Sequence, residues 1–89
     1  MTEILKKASA GTLESSDALV EIEPADSLAL NLSSLVMERF GAAIEKTVRE
    51  ELFRLGVEKA AVRVSDRGAL DCVLRARIEA AVLRAREEN

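Results

Sequence analysis

The sequence predicts a small α+β domain: a short sheet with two helices packed on one face, in the order β-β-α-β-α. Three observations predict it. Apolar residues alternate strictly in three stretches, which marks strands with one buried face. In two other stretches they recur at three- and four-residue steps, which marks amphipathic helices. Each such element is stable only when its apolar side meets a second layer. Only Phe40 and Phe53 are aromatic, so the core must be built from Leu, Val, Ile and Ala.

The elements follow in order. Residues 1–14 read as a flexible lead-in, because Ala-Ser-Ala-Gly-Thr is small, polar and without period. From Asp17, Ala18, Val20 and Ile22 alternate with Leu19, Glu21 and Glu23, the first strand. Pro24-Ala25-Asp26 ends it, since proline cannot donate to a ladder. Leu28, Leu30 and Leu32 alternate as a second strand, close enough to form an antiparallel hairpin with the first. Asp26-Ser27 is its turn.

Ser33 and Ser34 are placed to cap the helix that follows. Met37, Phe40, Ile44, Val48, Leu52 and Leu55 form its apolar stripe, and Gly56 suits a left-handed position past its end. Ala60, Val62 and Val64 give a third strand. Asp66-Arg67-Gly68 turns the chain, with Asp66 as a cap. Leu70, Leu74, Ile78, Ala81, Val82 and Ala85 line one side of the last helix, and residues 86–89 read as a frayed tail. No linker divides the 89 residues, so 1–89 is one domain.

Composition excludes several function classes. A net charge of -3 argues against nucleic acid, whose phosphates need Lys and Arg. With no histidine, the usual Ser/His and Cys/His nucleophile pairs and His-ligated metals are excluded. Cys72 is alone, so there is no internal disulfide and no zinc framework. It reads as a small apolar side chain rather than a second acyl-carrying thiol. No apolar run approaches the length of a membrane span, so the expected location is the cytoplasm, with no membrane partner.

The segment Ala10-Gly11-Thr12-Leu13-Glu14-Ser15-Ser16-Asp17 holds the candidate chemistry. A free serine needs a base or a partner enzyme to become a nucleophile. With no histidine present, Ser15 suits modification by another enzyme better than catalysis of its own. On these residues alone, a turn-and-cap cluster is the simpler reading. A second block is Asp66-Arg67-Gly68-Ala69-Leu70-Asp71-Cys72-Val73-Leu74-Arg75-Ala76-Arg77. There a helix N-terminus and Arg67, Gly68, Arg75 and Arg77 could dock a phosphate or an acidic partner surface. A tight turn and a solvated face, with an Arg75–Glu79 pair, is the plainer alternative.

Both blocks, with Ile22-Glu23-Pro24 and Arg39-Phe40-Gly41 between them, resemble the acyl carrier protein (gamma subunit) family of citrate lyase. The resemblance covers nearly the whole chain. It implies a non-catalytic carrier whose serine directly after the glutamate bears 2′-(5″-phosphoribosyl)-3′-dephospho-CoA through a phosphodiester. In this sequence that serine is Ser15, with Gly11, Glu14, Ser16 and Asp17 as motif neighbours and Ser16 as the competing hydroxyl. The implied partners are a prosthetic-group transferase, an acyl transferase (alpha) subunit and a lyase (beta) subunit. The two subunits exchange acetyl for citryl on the arm and cleave citrate to acetate and oxaloacetate. Carriers of citramalate lyase and malonate decarboxylase are the near alternatives. A small α+β interaction module with no covalent group is the alternative from another class. Asp26-Ser27-Leu28 matches the triplet at which conventional acyl carriers are modified, but there the serine opens a helix, and here the pattern is a strand.

Overall fold

The computed structural model of the chain describes residues 3–35 and 37–87, with side chains at all of these except 37–40. The elements are β1 (Ala8–Gly11), β2 (Ala18–Pro24), β3 (Ala29–Ser34), α1 (Met37–Arg54), β4 (Ala60–Asp66) and α2 (Asp71–Arg86). The α+β class and the single helical layer are as predicted. The order gains one strand at its start, β-β-β-α-β-α.

Alternation decides which side of the sheet is covered. Ala18, Val20 and Ile22 of β2 and Ala60, Val62 and Val64 of β4 are at most 2% exposed. They face Val48 and Leu52 of α1 and Leu74, Ile78, Ala81, Val82 and Ala85 of α2 in one core. The intervening Glu21, Arg63 and Asn31 share a register row on the uncovered side. Single-residue alternation therefore sorts the chain into a core face and a polar face.

The predicted hairpin is not formed. The strand order is β1-β2-β4-β3, with β2 antiparallel and β3 parallel to β4. Residues 25–28, including Asp26 and Ser27, instead carry the chain across about 10 Å, two strand spacings, and β4 later fills the gap. The reason lies in the helix. Parallel neighbours need a crossover connection, and α1 between β3 and β4 supplies it. The strand with the most buried side chains then takes a central place.

The lead-in expected over residues 1–14 contains β1, paired antiparallel with β2 from Ala8↔Ile22 to Gly11↔Leu19. Ahead of it Ile4 is buried, and the Leu5 and Lys6 N–H groups donate to the Ala85 carbonyl at 2.9 and 3.2 Å. Met1 and Thr2 lie outside the described residues. Ala, Ser and Gly carry almost no hydropathic alternation, so this strand is made by packing on α2 rather than by its own pattern. At the other end α2 continues through Arg86, whose guanidinium donates to the Leu55 carbonyl, so the expected tail begins later. Glu88 and Asn89 lie outside the described residues.

The helix ends follow local chemistry. Gly56, at φ 74°, closes α1 as expected. Its N–H donates to the Phe53 carbonyl and that of Val57 to the Leu52 carbonyl, the two bonds of a Schellman motif, with Val57 and Leu52 both buried. Ser34, a candidate cap for α1, lies at the end of β3 and donates from Oγ to Asp66 Oδ2 at 2.8 Å. Asp66 also accepts the Ala69 N–H at 3.0 Å, so it shapes the β4–α2 turn and does not cap α2. Leu70 precedes α2 and is 70% exposed, so the apolar stripe of that helix begins at Leu74. Cys72, two positions before Leu74, falls on the outer side and is exposed, contrary to expectation. The Met37 and Phe40 side chains of the predicted α1 stripe lie outside those described.

An ionic clasp joins the helices. Glu51 is 3% exposed and accepts from Arg54 and Arg75. Asp71 accepts from Thr47 Oγ1 and Arg75 Nε, each at 2.7 Å. Arg75 is thus held by Asp71, Glu50 and Glu51, and Glu79 by Arg54, so the expected Arg75–Glu79 pair does not form. Arg54 foremost lowers the Glu51 pKa, and Arg75 that of Asp71. A carboxylate with a lowered folded pKa contributes stability above the ordinary carboxylate range and loses it as pH falls through the folded value. Thermal midpoints measured from pH 8 to 2 should therefore stay nearly level down to about pH 5, there being no histidine to titrate, and fall below about pH 4. A midpoint that rises on acidification would contradict the clasp.

Candidate functional site

The serine segment is the connection between β1 and β2. Its four residues Glu14-Ser15-Ser16-Asp17 form a turn closed by the Asp17 N–H donating to the Glu14 carbonyl at 3.1 Å. Ser16 stands at φ 67°, the one non-glycine residue with positive φ among those described. Positive φ at the third residue is the pattern of a type II turn. Ser15 is therefore the second residue, at the outer corner, and is exposed.

The turn is also joined to β4. The regular β2–β4 ladder ends at Ala18↔Asp66. Beyond it the Ser16 N–H donates to the Arg67 carbonyl at 2.8 Å, and the Arg67 N–H donates to the Asp17 carbonyl at 2.9 Å. Two residues face one, with the first in the left-handed region. This is a G1-type bulge in which serine occupies the place usually held by glycine. A side chain in that region costs about 1–2 kcal/mol. Ser16→Gly should relieve part of it, offset by the freedom glycine gains when unfolded, for a net stabilisation of about 0.5–1 kcal/mol. A thermal melt measures this, and an unchanged or lower midpoint would refute the strain.

Asp17 organises the rest. Its carboxylate accepts from Thr12 Oγ1 at 2.7 Å, its neighbour's Ala18 N–H at 2.7 Å, Arg77 Nε at 2.9 Å and Arg77 Nη2 at 3.1 Å. The two-pronged Arg77 contact holds the carboxyl well below the usual range, helped by Thr12 and then Ala18. Thr12 Oγ1 in turn accepts the Glu14 N–H at 3.2 Å. Gly11, at φ 95°, opens the segment. A Cβ there would stand 1.8 Å from the Ala18 carbonyl oxygen and 3.2 Å from Arg77 Cδ. The glycine lets the two strands and the arginine converge.

The structure thus brings Gly11, Glu14, Ser15, Ser16, Asp17 and the backbone of Arg67 together, and it reaches them from α2 with Arg77. It does not gather the four residues expected to dock a phosphate. Arg75 belongs to the helix clasp, and Arg77 is paired with Asp17. Arg67 and Gly68 remain beside the turn, both exposed. Sequence reasoning missed Thr12 and the Asp17–Arg77 pair. The two blocks that carry the resemblance are joined by that pair, across 60 positions, a distance at which no local pattern gives a signal.

Among the described residues no group of His, Cys, Asp or Glu side chains is placed to hold a metal ion, and no helix is long and apolar enough to cross a membrane. The family described as malonate decarboxylase delta subunit, an acyl carrier family, matches residues 5–85. The chain is 58% identical over 89 residues to the citrate lyase acyl carrier protein of Escherichia fergusonii, covering 98% of this chain and 92% of that one. It is 57% identical over 88 residues to citrate lyase acyl carrier protein 2 of Salmonella typhimurium, covering 97% and 91%. The chain belongs to the citrate lyase acyl carrier protein family. A Haemophilus influenzae member of that family is 55% identical over 86 residues, covering 97% and 90%. In fold the chain matches a component of a crystal structure of a Pseudomonas malonate decarboxylase hetero-tetramer in complex with malonate. The TM-score is 0.79 at 23% identity, over 93% of this chain and 87% of that one. The likeness extends the family's fold beyond easily read sequence identity.

Proposed function

We propose that the chain is the acyl carrier subunit of a citrate lyase complex and bears its prosthetic group on Ser15. One observation carries the choice of residue. Ser15 is exposed at the outer corner of a braced turn, and among the described residues its hydroxyl makes no hydrogen bond, so esterifying it breaks no contact. Ser16, the competing hydroxyl, is exposed as well, but its N–H is tied to Arg67 and its backbone is left-handed, so its side chain is less free to be presented than that of Ser15.

These residues fit 2′-(5″-phosphoribosyl)-3′-dephospho-CoA attached by a phosphodiester. The site needs an open hydroxyl and room for a long polar group, and a surface turn offers both. When bound, the group supplies a terminal thiol on which acetyl and citryl units are carried as thioesters. The chain's own residues fix the anchor. Asp17, Thr12 and Arg77 hold the turn, and Arg67, on the facing strand end, offers a cation for the phosphodiester charge. Tethering raises the effective concentration of the acyl group at the acyl transferase (alpha) and lyase (beta) subunits. The prosthetic-group transferase is the third partner, and the cytoplasm is the location that suits all three.

A second reading, the carrier of malonate decarboxylase, is favoured by the family's description and by the fold relative. The Escherichia fergusonii, Salmonella typhimurium and Haemophilus influenzae relatives, each sharing more than half its aligned residues with this chain, bear the citrate lyase name, which favours the first. The deciding measurement is the intact mass of the chain purified from its native cells, followed by peptide mapping. The expected result is one adduct of the arm's mass on the peptide containing Ser15, gaining acetyl in the presence of an acetyl donor. A plain chain mass from cells fermenting citrate would overturn the carrier reading, and malonyl loading in place of acetyl would favour the second.

A further inference from the structure

We infer that Arg77 is a positioning residue for Ser15. Acting through Asp17, it presents the serine to its modifying enzyme on a preformed turn. The inference rests on the reading of Ser15 as the attachment point and adds a group that never touches the serine.

The argument starts from α2. Leu74 and Ile78 flank Arg77 in sequence and are 3% and 0% exposed, so the backbone from which Arg77 springs is fixed by the core. Its side chain runs past Gly11, with Cδ at 3.2 Å from the place a Cβ would take. It then meets both oxygens of Asp17, at 2.9 and 3.1 Å. A planar guanidinium gripping a carboxylate with two parallel bonds fixes orientation as well as distance. Asp17 passes this on twice. Through Thr12 Oγ1 it holds the Glu14 N–H, and through its own N–H it closes the turn on the Glu14 carbonyl. Both residues next to the Ser15–Ser16 corner are therefore set from α2.

A loop of this length would sample many geometries if unbraced, and a transferring enzyme would capture only those that aim the hydroxyl at its phosphoryl donor. Misplacement of a reacting atom by about 1 Å can cost on the order of a hundredfold in rate. The brace removes that search. It also explains the chemistry of its neighbours. A Cβ at position 11, already excluded by the Ala18 carbonyl, would also crowd Arg77 Cδ at 3.2 Å, and the short anionic side chain at position 17 meets the guanidinium with both oxygens.

The test uses the full-length unmodified chain, the transferase from the same host and the activated arm as substrate, with adduct formation followed by intact mass. Arg77→Gln is expected to lower kcat/KM at least tenfold, chiefly in kcat, while the protein stays folded. Amide exchange should quicken in residues 12–17 and not in the core. Arg77→Lys should recover part of the rate. Asp17→Asn should fall similarly, and the double variant should be no worse than either single, because both remove one device. Additive losses would show instead that Arg77 contacts the donor directly and would overturn the inference. So would an Arg77→Gln protein modified at the wild-type rate. If Arg77→Gln melts below the assay temperature, Thr12→Val removes a bond of the brace without touching α2 and must itself slow transfer. Failure of the wild-type chain to accept the arm at Ser15 is a separate result. It would strike the attachment reading, not the brace.

Discussion

Ser15→Ala is expected to abolish the adduct and all acyl loading, while stability stays within about 0.5 kcal/mol of wild type. The second half of that expectation follows from geometry. The side chain is exposed, makes no hydrogen bond among the described residues and occupies a turn position without positive φ. Alanine fits the same backbone and leaves the Asp17 brace in place. Losing one oxygen should therefore remove function without touching the fold. Intact mass and a thermal melt on the same preparation check both halves. Ser27→Ala is the control, since Ser27 lies in the exposed connection from β2 to β3 and opens no helix. Retention of the adduct by Ser15→Ala and its loss in Ser27→Ala would transfer the role to Ser27.

Gly11→Ala is expected to act through the fold instead, with a large loss of stability. Its φ of 95° strains any side chain, and the new Cβ would lie 1.8 Å from a backbone oxygen of the paired strand. That oxygen, Ala18 O, cannot move without opening the β1–β2 pairing. Strained backbone costs about 1–3 kcal/mol, and forced overpacking about as much again. A loss of about 3 kcal/mol would lower the thermal midpoint by roughly 12–24 °C in a domain of this size. The same substitution crowds Arg77 Cδ, so any folded fraction should be a poor substrate for modification. A midpoint within a few degrees of wild type would mean that β1 can separate from β2 at little cost.

These two residues also show how unevenly the site was legible. Ser15 could be proposed from the sequence because its motif is local and its neighbours Glu14 and Ser16 are adjacent in sequence. The reason for Gly11 was not, since the atoms that exclude a Cβ belong to Ala18 and Arg77. The same divide runs through the fold. The buried faces of β2 and β4, Val48 and Leu52 of α1 and most of α2 follow from periodicity, because side-chain direction repeats every 2 or 3.6 residues whatever the partner. Leu70 shows the limit of that rule: it continues the stripe in sequence, but the chain is not yet helical there. The strand β1 left no signal because Ala and Ser scarcely differ in hydropathy, and its pairing depends on β2 and α2.

What the sequence alone determined is a one-face α+β domain, the absence of histidine chemistry, and a serine between a glutamate and a second serine. Each is a property of residue type and short-range spacing. Only the tertiary structure decided that β4 separates β2 from β3, that Ser16 takes a glycine's place in a bulge against Arg67, and that Asp17 meets Arg77. The physical reason is common to all three. Each is a contact between segments far apart in the chain, made when the core closes, and the closing of the core depends on all the elements at once.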